Sequence, residues 1–223
     1  MSTQLKKETI QFLKDLKKNN NRDWFNANKE KFTSANEDFT AFVQSLIDEV
    51  AGFDKSITGM DAKHTVFRIY RDTRFSKDKT PYKTHFAATL MGKDGSCGIA
   101  GYYLHLEPGN SFLAGGVHMT EPEIMRSIRQ EISGEGKSFL KIINDKKFKE
   151  NFKLMGEQSA RIPQGFDKDD KMAEYLKYKE LMIHHAIDDK DLIAPGFVNY
   201  CARVCKAMVP FNQFINRPAL QHK

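Results

Sequence analysis

The sequence predicts an α+β fold, with a central antiparallel sheet and flanking helices, in a single domain over residues 1–223. Apolar residues recur at helical spacing over residues 1–52, and short β-rich runs separated by turn residues occupy residues 65–118. Residues 119–223 mix helical patterns with short strand patterns. The 223 residues are 40% hydrophobic and include 17 phenylalanines, which is enough to fill one large core.

A pair of helices is expected at the N-terminus. Apolar residues between Leu5 and Leu16 recur at helical spacing, and a run of three asparagines then ends the first helix. The last of these, Asn21, is expected to cap a second helix that begins near Arg22 and ends at Gly52. The second helix carries apolar residues at heptad-like spacing, which indicates packing against a core.

Four strands are expected next in the chain. Their ranges are Val66–Arg71, Thr84–Met91, Gly98–Leu106 and Ser111–Val117. A turn at Glu107–Asn110 makes the last two strands antiparallel neighbours. The register that this turn sets places their side chains on the two faces of the sheet. One face mixes aromatic, small and histidine residues and can line a pocket: Tyr103, His105, Ala114, Gly116 and His118. The other face is expected to be core: Leu104, Leu106, Leu113 and Val117.

Residues 119–223 are expected to hold further helices and short strands. A capping box of Thr120 and Glu123 predicts a helix that runs to about Ile132. The last helix is expected to begin after Gly196 and to end before Pro210, because proline disrupts a helix interior. Between them we expect a helix at 137–145, a short strand at 151–155, a helix at 168–177 and a strand at 181–187.

Composition narrows the class of protein. A net charge of +6 and a pI of about 9.1 are compatible with nucleic acid or acidic ligands, but modest beside proteins that coat DNA. No apolar run approaches the roughly 18 residues of a membrane span, and no apolar leader begins the chain, so we expect a cytoplasmic protein without membrane contact. Cys97, Cys201 and Cys205 lack disulfide or zinc spacing and are expected to be buried thiols.

Most of the net charge lies in the basic segment, residues 67–86 (FRIYRDTRFSKDKTPYKTHF). Six cations face two acids, which leaves +4 of the chain's +6. Arginine binds phosphate or carboxylate in a bidentate way and lysine adds a point charge. The segment therefore predicts a site for a phosphorylated or other anionic ligand, with nucleic acid as one version. The candidate ligand-binding residues are Arg68, Arg71, Arg74, Lys77, Lys79 and Lys83.

Two further interpretations of the basic segment stay open. In a structural one the lysines are solvated and the arginines pair with acids. These pairs are Arg71 or Arg74 with Asp72, Asp78 or Asp23. In a converging arrangement, Arg22 and the start of the second helix hold an anion beside the segment, which adds Arg22 to the candidate binding residues.

Histidines on or beside the strands, namely His85, His105 and His118, support a second hypothesis, a hydrolase that acts on a phosphoester. An imidazole serves as general acid or base where an arginine stabilises developing negative charge. The candidate catalytic residues are His105, His118 and Tyr103. The alternative is that these histidines are hydrogen-bonded parts of the sheet. No cofactor and no metal is expected from the ligand spacing, although a site built from dispersed histidines and aspartates stays open.

Several segments resemble a known family. They are NNNRDWFNANK, FRIYRDTRFSKDKTPYKTHF, AGYYLHLEPGNSFLAGGVHM and EYLKYKE, and they are similar to a bacterial and fungal family of conserved hypothetical proteins, a domain of unknown function. The resemblance spans nearly the whole chain and implies a single α+β domain without an established activity. It carries over no catalytic residue. Besides the binding module and the hydrolase, a protein-interaction domain whose basic loop docks an acidic partner is a third hypothesis.

Overall fold

The computed structural model describes residues 4–91 and 100–221, without the side chains of residues 219–221. Cys97 and the start of the strand predicted from Gly98 lie outside the described residues. The helices are α1 (Lys7–Lys18), α2 (Arg22–Ala27), α3 (Lys29–Ala51), α4 (Pro122–Gly134), α5 (Gly136–Ile143), α6 (Lys146–Asn151), α7 (Ala173–Leu176) and α8 (Phe197–Gln221). The strands are β1 (Phe86–Leu90), β2 (Gly101–Leu106), β3 (Ser111–Val117), β4 (Lys153–Met155) and β5 (Leu181–Ile187).

The strands of the described residues form one antiparallel sheet in the order β1-β2-β3-β5-β4. At its end β4 pairs with β5, with Leu154 opposite Ile183. The sheet and its helices confirm the predicted α+β fold. The four residues predicted to face the core are also buried: Leu104, Leu106, Leu113 and Val117.

The described chain divides into two compact units. The first unit consists of residues 4–90, 103–113 and 186–203. The second unit consists of residues 91, 100–102, 114–185 and 204–221. That residues 1–223 make a single domain stays a prediction.

The second N-terminal helix predicted from the sequence is two helices, α2 and α3, which meet at Asn28. Asn21 caps α2 as expected, since its side chain accepts a hydrogen bond from the backbone N–H of Trp24 at 2.9 Å. At this junction the side chain and the backbone N–H of Asn28 both donate to the carbonyl oxygen of Trp24, at 2.9 and 3.0 Å, and Asn28 leaves the helical conformation with φ −114° and ψ 25°. The apolar stripe is buried as predicted, with Phe39 and Phe42 both fully inaccessible to solvent.

The strand predicted at Val66–Arg71 is wrong. These residues form only two isolated antiparallel bridges, Val66 with Ala88 and Tyr70 with Tyr82. The facing stretch contains Pro81, which has no backbone N–H to donate, so a continuous ladder cannot form there. The start of the basic segment is therefore irregular backbone. Isolated backbone hydrogen bonds connect it to β1 and to residues 81–83.

Asn20 joins the N-terminal helices to the basic segment. Its side-chain amide donates to the carbonyl oxygen of Tyr82 at 2.9 Å and accepts from the backbone N–H of the same residue at 3.1 Å. Phe25 stacks on the ring of Tyr82 with centroids 3.9 Å apart. Tyr82 is buried, so these contacts fix the middle of the basic segment against α2.

In the second unit, the start of α4 and the extent of α7 differ from the prediction. Glu121 is the residue before α4, and the hydroxyl of Thr120 is buried without a hydrogen bond partner among the described residues, so the capping box does not form. The helix expected at 168–177 is only the four-residue α7. Asp170 accepts from the backbone N–H of Met172 at 2.6 Å, a local turn that competes with helix formation.

The last helix continues through Pro210 and Pro218, contrary to the expected end before Pro210. Its apolar face in the second unit is buried, including Phe211 and Phe214. Burial of such a face outweighs the roughly 3 kcal/mol that proline costs inside a helix. Cys201 and Cys205 on this helix are buried thiols, as predicted. No helix within the described residues has the length and apolar character needed to cross a membrane.

Asn20→Ala is expected to lower the free energy of unfolding by about 1–3 kcal/mol, because both backbone groups of the buried Tyr82 lose their side-chain partner. Urea denaturation followed by circular dichroism measures this. Asn26→Ala is the control, since Asn26 is exposed on α2, and it should change the value by about 0.5 kcal/mol or less. Equal effects of the two substitutions would contradict the role assigned to Asn20.

Candidate functional site

Arg71 is held within the basic segment itself. Its Nη1 donates to Asp78 Oδ2 at 2.6 Å and to the carbonyl oxygen of Thr80 at 3.1 Å. The backbone N–H of Thr80, the Arg71 guanidinium and the Thr80 hydroxyl together lower the pKa of Asp78 to about 2. The charge of Arg71 is therefore compensated by a neighbouring carboxylate.

Arg74 is paired in a similar way, with Asp72. The contact is bidentate, with Nε to Oδ1 at 3.0 Å and Nη2 to Oδ2 at 2.7 Å. The ammonium of Lys79 donates to the carbonyl oxygen of Thr73 at 2.9 Å. These contacts agree with the structural interpretation of the two arginines. Anion binding by them, or by Lys79 and the exposed Lys77, stays a prediction.

Arg68 and Lys83 differ from the paired arginines. Within residues 4–91 and 100–221, no ion pair involves either side chain. Arg68 is exposed, and Lys83 is half-buried with its ammonium 5.3 Å from the centroid of the Phe67 ring. Burial lowers the pKa of Lys83, and the positive charge of Arg68 lowers it further. Two cations thus repel each other beside an aromatic ring.

A cleft of about 290 Å³ opens beside Arg68, between α3 and residues 63–70. Phe67 and Tyr70 line it and expose 44% and 45% of their surfaces. The other polar and aromatic lining residues are Lys63 and Arg68, Asn36 and Thr40, and Phe32. The cleft therefore combines positive charge, hydrogen-bonding groups and aromatic faces in one place.

Arg22, the predicted partner of the basic segment, is exposed at the start of α2. It lies near enough to Tyr82 for its charge to oppose the effect of burial, which raises the pKa of that phenol. Arg22 is not among the residues that line the cleft. Convergence of Arg22 with the other cations on one anion stays a prediction.

A second group of polar residues lies on the sheet. Residues 103, 105 and 107 alternate along β2 and its end, so their side chains point to one face. His85 directly precedes β1, which neighbours β2 in the sheet. The structure thus brings together His85, His105 and Glu107, hereafter the histidine–glutamate cluster, with Tyr103 beside it.

Within the cluster, His105 is surrounded by partners. Its ring lies 4.1 Å from the ring of His85 and 4.6 Å from that of Phe112, centroid to centroid. Its Nε2 is 3.4 Å from Glu107 Oε2, and its Nδ1 is 3.2 Å from the hydroxyl of Tyr103. Because the carboxylate only accepts, Nε2 carries the proton of the neutral ring and Nδ1 accepts from Tyr103.

Glu107 is held in its ionised form by several donors. Its Oε1 accepts from the hydroxyl of Thr84 at 2.9 Å and from the ammonium of Lys17 at 3.3 Å. Its Oε2 accepts from the amide of Asn110 at 3.3 Å. Burial alone would raise the pKa of Glu107, but the hydrogen bonds from Thr84, Asn110, His105 and Lys17 outweigh it and lower the pKa to about 2.

The two histidines of the cluster are neutral near pH 7. Burial lowers the pKa of His85 to about 4. The neighbouring His105 also lowers this pKa, whereas the charge of Glu107 raises it. Burial also lowers the pKa of His105, against the effect of Glu107. The ligand atoms of His85, His105 and Glu107 all lie within 4.8 Å of one another. Two neutral imidazoles and a carboxylate at such distances are able to hold a metal ion or to exchange protons with a ligand.

Sequence reasoning found only part of this cluster. The sequence predicts that Tyr103 and His105 share a face, and it groups His85 with His105 and His118 as histidines on or beside strands, but it places Glu107 in the turn. The missed signal is the alternation Tyr-x-His-x-Glu, which extends the strand face by one residue beyond β2. The other candidate, His118, is exposed in the second unit, 3.3 Å from Glu180, and its catalytic role stays a prediction.

Comparison with known proteins places the sequence in a family. Residues 8–214 match the model of the family described as Conserved hypothetical protein (DUF2461), which confirms the resemblance expected from the sequence. No curated protein and no solved structure matches the chain. A function for this chain is therefore inferred from the geometry of the cleft and of the cluster.

Lowering the pH from 6.5 to about 4 is expected to destabilise the fold through His85. The folded-state pKa is the lower one, so the unfolded chain takes up the proton first and the free energy of unfolding falls across this window. His85→Asn should reduce that fall. Glu107→Gln should instead reduce the loss of unfolding free energy between pH 4.5 and about 2. In that range the carboxylate of the unfolded chain takes up a proton before the folded-state carboxylate does.

Urea denaturation in the presence of EDTA, repeated at each pH, measures both windows. Glu107→Gln is also expected to deepen the loss in the histidine window, because Glu107 raises the pKa of His85. His85→Asn is the control below pH 4.5, since His85 is not among the groups that shift the pKa of Glu107. Identical pH profiles for the wild type and both variants would contradict these assignments.

Proposed function

We propose that this chain, which belongs to the DUF2461 family of conserved hypothetical proteins, binds a phosphorylated ligand in the cleft between α3 and residues 63–70. The observation that carries the proposal is the pair of cations, Arg68 and Lys63, in a cleft that also presents aromatic faces. A location in the cytoplasm is part of the proposal and is favoured by the composition.

The electrostatics of the basic segment support Arg68 as the main contact. The other two arginines of the segment already have carboxylate partners, so an anion would have to displace an acid to reach them. Arg68 makes no direct ion pair among the described residues, although its charge acts on Asp72, and it disfavours the protonated form of Lys83. A phosphate beside Arg68 would relieve that repulsion and accept the bidentate hydrogen bonds of the guanidinium.

The aromatic lining supports a ligand with a flat ring. Phe67 and Tyr70 are each about half exposed and both line the cleft, so they form a contiguous aromatic patch of the kind that marks a binding surface. Aromatic faces between cations are the arrangement on which nucleic-acid bases stack, with about 1–3 kcal/mol per base. Asn36 and Thr40 also line the cleft, where the Thr40 hydroxyl donates to the backbone carbonyl of Asn36 at 2.7 Å and keeps its oxygen as an acceptor.

The size of the cleft favours a mononucleotide over a longer strand. A volume of about 290 Å³ is near the lower end for small-molecule sites. Phe75 is 95% exposed and is not among the residues that line the cleft. We therefore propose a mononucleotide-sized ligand and treat a single-stranded nucleic acid as the longer version of the same chemistry.

Arg68→Glu is expected to weaken binding of AMP by tenfold or more, because a charge-assisted hydrogen bond contributes about 1.5–3 kcal/mol. Arg74→Glu is the matched control, with the same change of charge in the same segment, and should weaken binding by threefold or less because Asp72 already pairs with Arg74. Isothermal titration calorimetry at low and moderate salt measures both.

Inorganic phosphate and a short oligothymidylate complete the ligand set. Phe67→Ala should weaken the binding of AMP but not the binding of phosphate, since only AMP carries a ring that stacks on Phe67. Tighter binding of the oligonucleotide than of AMP would favour the longer version. Equal losses from Arg68→Glu and Arg74→Glu would contradict binding in the cleft, since they would indicate attraction to the overall charge of the segment.

A further inference from the structure

We infer that His85, His105 and Glu107 bind a divalent transition metal ion of the zinc class. This inference is independent of the proposed ligand cleft, since none of the three residues lines it. Among residues 4–91 and 100–221, this is the group of histidine, cysteine and acidic side chains whose ligand atoms approach closely enough to share an ion. All three belong to the first unit.

The spacing of the ligand atoms fits such an ion. Zinc ligands lie about 2.0–2.2 Å from the metal, so two ligands of a tetrahedral site are about 3.3 Å apart. His105 Nε2 and Glu107 Oε2 are already 3.4 Å apart. One ligand atom from each of the three residues lies within 4.8 Å of the other two, so His85 is close enough to join the same ion.

Neighbouring groups hold two of the ligands in the orientation that a metal requires. Thr84 and Lys17 occupy Oε1 of Glu107, while His105 and Asn110 approach Oε2. The hydroxyl of Tyr103 faces Nδ1 of His105. When Nε2 binds a metal, the ring proton moves to Nδ1 and donates to the Tyr103 oxygen, which is the outer contact that orients metal-bound histidines.

The ligand set identifies the class of metal. Imidazole favours Zn²⁺, Fe²⁺, Co²⁺ and Ni²⁺, whereas Mg²⁺ and Ca²⁺ prefer sites built from oxygen alone. Three protein ligands leave at least one position open for water or another ligand, as in sites that take part in chemistry. The side chains of His105 and Glu107 retain 10% and 14% of their exposure, so small molecules have limited access to the ion.

A structural histidine–glutamate pair is the competing account of these contacts, and the chain offers a matched example. His118 and Glu180 lie 3.3 Å apart, almost the same separation as His105 and Glu107, but they are not part of a described three-ligand group. If His105 and Glu107 were only such a pair, substitution of His85, whose tilted ring lies 4.1 Å from that of His105, would have no effect on metal affinity.

Metal binding by the full chain tests the inference. Protein stripped with a chelator is dialysed against Zn²⁺, and Co²⁺ is added separately to record its visible spectrum. We expect one ion per chain, tetrahedral Co²⁺ bands, and no comparable binding of Mg²⁺. His85→Asn and Glu107→Gln should each weaken Zn²⁺ binding at least tenfold, while His118→Asn should leave it unchanged.

Tyr103→Phe supplies a second test that removes no ligand. It should weaken binding about tenfold through loss of the outer contact to His105, and its fold can be checked by circular dichroism. The inference is overturned if the wild type binds no stoichiometric Zn²⁺ or Co²⁺, if His85→Asn and Glu107→Gln bind as the wild type does, or if His118→Asn abolishes binding.

Discussion

The ionised carboxylate of Glu107 is the constraint on which the first unit's polar interior depends. A partly buried carboxylate is stable only if donors replace the water it has lost. Here the donors come from distant parts of the chain: Lys17 from α1, Thr84 from the end of the basic segment, and Asn110 from the turn before β3. One side chain thus ties a helix, a loop and a hairpin together, and this arrangement also positions His105.

The basic segment and the histidine–glutamate cluster are continuous in the chain. Lys83 packs on Phe67 beside the cleft, the next residue donates to Glu107, and His85 follows in the cluster. The charge of Lys83 also contributes to the lowered pKa of His85. A change in the charge of Lys83 would therefore act electrostatically on His85. The two proposals remain separate, because each depends on different side chains.

The parts of the fold that follow from local pattern could be predicted from the sequence. The strand Leu181–Ile187 and the cap at Asn21 were predicted correctly because alternation and capping are local signals. The helix through Pro210 was missed because burial of its apolar face overrides the low helix propensity of proline. The break at Asn28 was missed although its contact to Trp24 is local, because the apolar spacing of α2 and α3 predicts one continuous helix. The part of Glu107 in the cluster was missed because His85 and Glu107 meet only through the pairing of strands.

The coordination of a bound ion tests the central claim most directly. X-ray absorption at the zinc edge of the protein loaded with one equivalent of Zn²⁺ reports which atoms surround the metal. The account predicts scattering from two imidazole rings and from oxygen at about 2.0–2.2 Å, without sulfur. A sulfur contribution at about 2.3 Å, which would indicate cysteine ligands, or the absence of imidazole scattering would contradict it.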